Sequence, residues 1–167
     1  DVYYCRGGSD GWYRWRPTAP AGSQWSRLSG MTRSQWYACA VIDPTRDRML
    51  TMGNYSTDTG PVVRSLNGTP MGASFTGLGA EALSLTGYPG AVYDEANDCY
   101  LVLHNTGTTT RLLRVQAASW HIDEPNVTGG KPAKRDNGIQ NAIQYVPELR
   151  GVVIANKYNG NVMFMRT

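Results

Sequence analysis

The residues able to do chemistry are few. Two histidines (His104, His121), three cysteines (Cys5, Cys39, Cys99) and two regularly placed aspartates (Asp43, Asp94) stand out among 167 residues. A serine or cysteine nucleophile needs a matched histidine and acid, and no Gly-x-Ser-x-Gly elbow occurs. Structural zinc needs ligands in close pairs. The cysteines lie far apart with no Cys-x-x-Cys, so they are expected to be buried small hydrophobes. Paired carboxylates could cleave a glycosidic bond, but Asp43 and Asp94 occupy the same place in a repeated unit. An active site is built once and a turn in every repeat, so both are expected to shape turns. His104 and His121 are expected to be hydrogen-bonded turn or surface residues. Gly7-Gly8 and Gly129-Gly130 lack the Lys-Ser or Lys-Thr of a phosphate cradle. No cofactor or metal is expected from this segment.

What positions these residues is an internal repeat. Ala40-Val41-Ile42-Asp43, Ala91-Val92-Tyr93-Asp94 and Ala142-Ile143-Gln144-Tyr145 follow one another at intervals of 51 residues. Each leads through a polar turn into a second apolar run, ending at Asn54, Asn105 and Asn156. Short β-forming runs separated by Asp, Pro and Asn read as hairpins. Third strands are expected at about Val62 to Leu66, Arg111 to Val115 and Val162 to Arg166. Fourth strands are expected near Gln24-Trp25, Ser74-Phe75 and Ser119-Trp120. Four short antiparallel strands per repeat of about 50 residues suggest an all-β propeller, because one such sheet cannot bury both faces alone and stacking around an axis buries them. Residues 1–167 then form a single segment, divided at about 1–30 (partial), 36–78, 87–122 and 138–167 (partial). The first unit lacks its innermost strand and the last its outermost. The ring is therefore incomplete in this chain, and the remainder of the propeller or a second chain is expected to close it.

The unit resembles the kelch-like blades of the galactose oxidase central-domain superfamily. Ala40-Val41-Ile42-Asp43-Pro44 and Ala91-Val92-Tyr93-Asp94-Glu95 match its strand and turn, and Val2-Tyr3-Tyr4-Cys5-Arg6-Gly7-Gly8 resembles the strand ending in a diglycine. Trp12-Tyr13-Arg14-Trp15 would be a third strand, and Trp25-Ser26-Arg27-Leu28 would carry the blade-closing tryptophan. Elsewhere the diglycine is Gly53-Asn54, His104-Asn105 or Ala155-Asn156, a change that keeps the turn because Asn tolerates left-handed backbone. The resemblance implies copper chemistry only where two Tyr, one linked to Cys, meet two His. This segment has His104 and His121 and no Tyr-His dipeptide.

Composition narrows the partners. Hydrophobic residues make up 41% and charged residues 17%, with 19 Gly, 9 Pro and a net charge of +3. That is a folded, turn-rich chain. It has no dense basic stripe for nucleic acid and no apolar run long enough to span a membrane. Three sequons, at Asn54, Asn67 and Asn126, permit glycosylation and fit an extracellular or virion-surface location. Loops between second and third strands are rich in Asn, Thr, Ser and Gly, with Tyr55 and Tyr158 as aromatic contacts. Trp120 to Ile139 spans 19 positions, against 12 from Trp25 to Tyr37 and 13 from Phe75 to Tyr88. The extra residues, His121 to Asn137, carry Lys131, Lys134 and Arg135, and Arg33 and Trp36 could face them. An insertion found in one repeat is where specific function tends to sit. The expected function is a non-catalytic interaction module presenting Arg33, Trp36, Tyr55, His121, Lys131, Lys134, Arg135 and Tyr158 to a protein or glycan. The alternatives are part of a galactose-oxidase-like or polysaccharide-acting enzyme whose catalytic residues lie elsewhere, and a structural subunit of a larger assembly.

Overall fold

The computed structural model describes residues 2–6, 11–28, 39–53, 60–85, 88–136, 138–140, 142–155 and 159–167. They form an all-β structure of four small sheets. Sheet I holds β1 (Tyr3–Arg6), β2 (Trp12–Trp15) and β3 (Trp25–Arg27). Sheet II holds β4 (Cys39–Asp43), β5 (Arg48–Met52), β6 (Val62–Ser65) and β7 (Pro70–Met71). Next come β8 (Thr76–Gly77), β9 (Gly90–Asp94), β10 (Cys99–Thr106), β11 (Thr109–Gln116) and β12 (His121–Asp123), which make sheet III in the order β8-β12-β11-β10-β9. Sheet IV holds β13 (Ile143–Val146), β14 (Gly151–Ile154) and β15 (Met163–Arg166). Neighbours are antiparallel except β8, which runs parallel to β12.

The aspartates shape turns, as the repeat implies. Asp43 Oδ1 accepts the N–H of Thr45 and Arg46, each at 3.1 Å. Asp94 Oδ1 does the same for Ala96 and Asn97, at 3.0 and 3.2 Å. Each turn closes on a left-handed residue, Asp47 at φ 48° and Asp98 at φ 50°. The third hairpin departs from the 51-residue register. Asp43 pairs with Arg48 and Asp94 with Cys99, but Val146 pairs with Gly151, so the third copy slips by one. Tyr145 consequently matches Tyr93, not Asp94. A one-residue slip turns every side chain to the other face, and in this register Ile143 and Tyr145 are buried. The third strands realign, with Ser65, Gln116 and Arg166 opposite Arg48, Cys99 and Gly151.

The strand expected near Gln24-Trp25 is β3, but the other two fourth strands differ from expectation. The chain reverses at once after Ser65, whose N–H donates to Thr69 O at 2.9 Å while Asn67 Oδ1 accepts the Thr69 N–H at 3.0 Å. The strand therefore falls at Pro70–Met71 rather than at Ser74-Phe75. Phe75 packs instead on Trp120, 5.4 Å between rings. Trp120 takes a left-handed turn (φ 59°) and stacks on Tyr100, so its strand begins at His121.

Successive sheets share cores. Leu28 and Met49 join sheets I and II. Leu50, Met52, Val63, Tyr100, Val102 and Leu113 belong to one core spanning sheets II and III. Cys99, Leu101, Leu103, Ile143, Val152 and Ile154 belong to one spanning sheets III and IV. Strand β10 serves both cores because its side chains alternate between faces. The second core carries buried ions. Arg48 donates to Asp43 at 2.9 Å and to Ala117 O, and lies 4.3 Å over the Trp120 ring. Arg46 clamps Asp98 at 2.7 and 2.6 Å and holds its carboxyl below the usual range. The cysteines are not uniformly buried: Cys5 is exposed, Cys39 half-buried and Cys99 buried, all as free thiols. Cys5 lies with Tyr3 on the exposed side of β1.

Candidate functional site

Strands β10 and β11 run eight residues each, longer than β5 or β14. Residues expected to form a binding loop, Asn105 to Thr110, are instead the tip of this hairpin, closed through Gly107 and Thr108. The tip holds the insertion. Asn105 Nδ2 donates to Arg135 O at 2.6 Å and its Oδ1 accepts the Arg135 N–H at 3.2 Å. Thr110 Oγ1 donates to Pro132 O at 2.8 Å, and Thr109 bridges to Ala133. An amide side chain that gives and receives on one backbone unit mimics a strand ladder. A loop with no counterpart in the other repeats is thereby folded back over its own sheet.

Beneath it lies a cleft of about 380 Å³ between sheets III and IV. Its floor is aliphatic, made by Leu101, Leu103, Leu112, Ile154, Met163 and Met165, and residues 124–128 and 130–132 cover it. Charges stand around the rim. Arg114 grips Asp123 at 2.9 and 2.5 Å, and this holds the Asp123 carboxyl below its ordinary range. Glu124 accepts from Arg111 at 2.8 Å and from Lys131 at 3.4 Å, with the same effect on its carboxyl, led by Arg111. Burial alone would raise the Asp94 carboxyl, but hydrogen bonds from Asn97, Thr167 and Tyr145 outweigh it and leave it lowered. Arg166 lines the cleft and is exposed. Such a site offers desolvation of an apolar group, flanked by polar groups that fix its orientation.

Of the residues expected from the sequence, Lys131 lines this cleft. Lys134 is exposed but does not line it, and half-buried Arg135 is held by Asn105 through its backbone. His121 sits away from it on β12, with Nδ1 3.4 Å from Thr76 Oγ1. Arg33, Trp36, Tyr55 and Tyr158 lie outside the described residues. His104 is not a turn residue. It is buried within β10, its Nδ1–H directed at Asn105 O at 3.0 Å and its Nε2 unpartnered. The cleft's own groups (Arg114, Arg166 and the aliphatic floor) were not expected, and the unbroken apolar run from Cys99 to Leu103, which marks a strand buried on both faces, was the available signal. Among the described residues no group of three His, Cys, Asp or Glu side chains could hold a metal ion. Likewise no helix among them is long and apolar enough to cross a membrane. No protein-family model, curated protein or solved structure matches the chain.

Proposed function

We propose that the chain is a non-catalytic interaction module, an arc of a kelch-like propeller, that takes a polypeptide partner into the cleft between sheets III and IV. The cleft carries the reading: an aliphatic floor roofed by an insertion that the hairpin tip holds in place. Glycans stack on flat aromatic faces, whereas the lining here is mainly Leu, Ile and Met, with Phe164 its one aromatic residue, which suits an apolar peptide side chain. The propeller reading draws support from one contact made twice. Tyr93, whose hydroxyl donates to Asp98 in its own turn at 2.6 Å, also meets Thr45 in the turn of sheet II, and Tyr145 meets Asp94 and Ala96 in the turn of sheet III. Each hairpin thus latches onto the one before it, as nearest-neighbour stacking requires. The two end faces favour further neighbours. Tyr3, Trp15 and Trp25 form an aromatic row on one, with Trp25 56% exposed, and Val162 (64%) and Phe164 (48%) stand out at the other end. A location outside the cell or on a virus particle belongs to the same reading, supported by exposed sequons at Asn67 and Asn126.

The test is selection of random peptides on the wild-type chain, scored against Val127→Trp, whose indole would occupy the cleft. Enriched peptides should carry an aliphatic residue and lose binding to the filled variant. Enrichment that ignores the substitution, or binding confined to glycans, would remove the cleft from the account.

A further inference from the structure

Two of the three sequons lie among the described residues, at Asn67 and Asn126, and the fold treats them differently. A sequon needs a side-chain amide and, two residues on, a hydroxyl, both within reach of the enzyme that reads them. At Asn67 both groups are spent on a turn. Asn67 Oδ1 accepts the Thr69 Oγ–H at 2.8 Å, the Thr69 N–H at 3.0 Å and the Ser65 hydroxyl. The Ser65 N–H donates to Thr69 O at 2.9 Å, and Pro70 pairs with Arg64 as β7 begins. Reading this triplet means opening the end of the β6–β7 hairpin. Pro70 also restricts Thr69 to extended backbone before any folding.

Asn126 stands otherwise. Glu124 and Lys131 meet at 3.4 Å and so clasp the ends of the stretch between them, which belongs to no strand. Within it the side chains alternate. Val127 packs against the core shared by sheets III and IV, while Asn126 and Thr128 are exposed. Neither exposed side chain makes a hydrogen bond among the described residues. Gly129 then turns the chain at φ 96°, and nothing lies within 4 Å of where a side chain would begin at Gly129 or Gly130. One half-buried valine therefore anchors a triplet whose amide and hydroxyl both face solvent, with open space beyond it.

We propose that Asn126, rather than Asn67, is the acceptor of an N-linked oligosaccharide. This rests on the location outside the cell offered above. The donor is an oligosaccharide carried on a lipid diphosphate. Asn126 Nδ2 attacks the anomeric carbon of the first sugar and forms the new C–N bond. The C–O bond to the diphosphate breaks, and the lipid diphosphate leaves with the electron pair. The amide gives up one proton to a base of the transferring enzyme. The product keeps the fold, because Val127 stays in the core while the sugar leaves from the exposed side of the loop. Asn126 also borders the cleft, so the sugar stands beside its mouth.

The test sends the whole chain through the secretory pathway of a eukaryotic cell behind a cleavable signal. Peptide-N-glycosidase in heavy-oxygen water then converts each sugar-bearing Asn to labelled Asp, which peptide mass spectrometry locates. Label should fall on Asn126 in most molecules and on Asn67 in few. Thr128→Ala should abolish the label at Asn126 and Thr128→Ser should keep it. Both changes fall on an exposed side chain, and unchanged urea unfolding checks that the fold survives. A secreted chain bare at Asn126 would overturn the site and leave the location standing. Label on Asn67 equal to or above that on Asn126 would overturn the assignment, as would label at Asn126 that persists in Thr128→Ala. The natural polypeptide found inside its own cells would overturn the location and the modification with it, even where the redirected chain carries the label.

Discussion

Asp43 is fully buried and serves two masters, the turn N–H groups and the buried Arg48 guanidinium. Its counterpart Asp94 caps the same turn without a buried cation. Removing one member of a buried ion pair strands the other, at a cost of about 3–5 kcal/mol, whereas lost turn bonds cost about 1–3 kcal/mol. Asp43→Ala should therefore destabilise more than Asp94→Ala in urea unfolding, and Arg48→Met should recover part of the loss in the double variant. His104 supplies a pH dependence. Burial lowers its pKa from the ordinary 6.5, since a charge on the unpartnered Nε2 would be desolvated. The unfolded chain then takes up a proton before the folded one does. Stability from this site is whole above about pH 6.5 and lost as pH falls through the folded value. His104→Leu should flatten the stability loss between about pH 7.5 and 5, and an unchanged slope would show that another group titrates.

At the scale of elements, the long β10–β11 hairpin is what makes a site from a repeat. Its tip exchanges two hydrogen bonds between Asn105 and the Arg135 backbone, and a third from Thr110 to Pro132. Asn105→Ala should release the roof over the cleft while costing the sheet little, about 1–2 kcal/mol for two bonds at a half-buried position. Amide exchange should speed at Arg135 and stay slow at Leu101 and Leu113. Equal acceleration across the sheet would mean that the tip supports the core itself.

For the whole molecule, stacking leaves two ends. Tyr3, Trp15 and Trp25 lie in one cross-strand row, with ring separations of 5.3 and 5.9 Å, and Phe164 is exposed on sheet IV. Apolar faces of this kind associate when nothing covers them. The chain on its own should self-associate with rising concentration, read by light scattering after gel filtration. The double variant Trp25→Ser with Phe164→Ser should stay monomeric at concentrations where the parent does not. A parent that stays monomeric throughout would remove the need for neighbours at the ends.

How much of this was legible follows from range. The hairpins at Asp43 and Asp94, the β periods and the third strands are local, written in turn chemistry and alternation, and the amino-acid order determined them without help. The slip at Val146 was not, because the count of residues is blind to which face a neighbouring sheet will bury, and Tyr145 is buried only in the shifted register. The route of Phe75 toward Trp120 was likewise chosen by a ring in another sheet. Lys131 could be picked out as part of an unrepeated insertion. That it lines one cleft with Leu101 and Met163 depended on bonds from Asn105 and Thr110 to residues 22 to 30 positions away. Contacts of that span are set by which sheets pack together, and tertiary structure alone decided them.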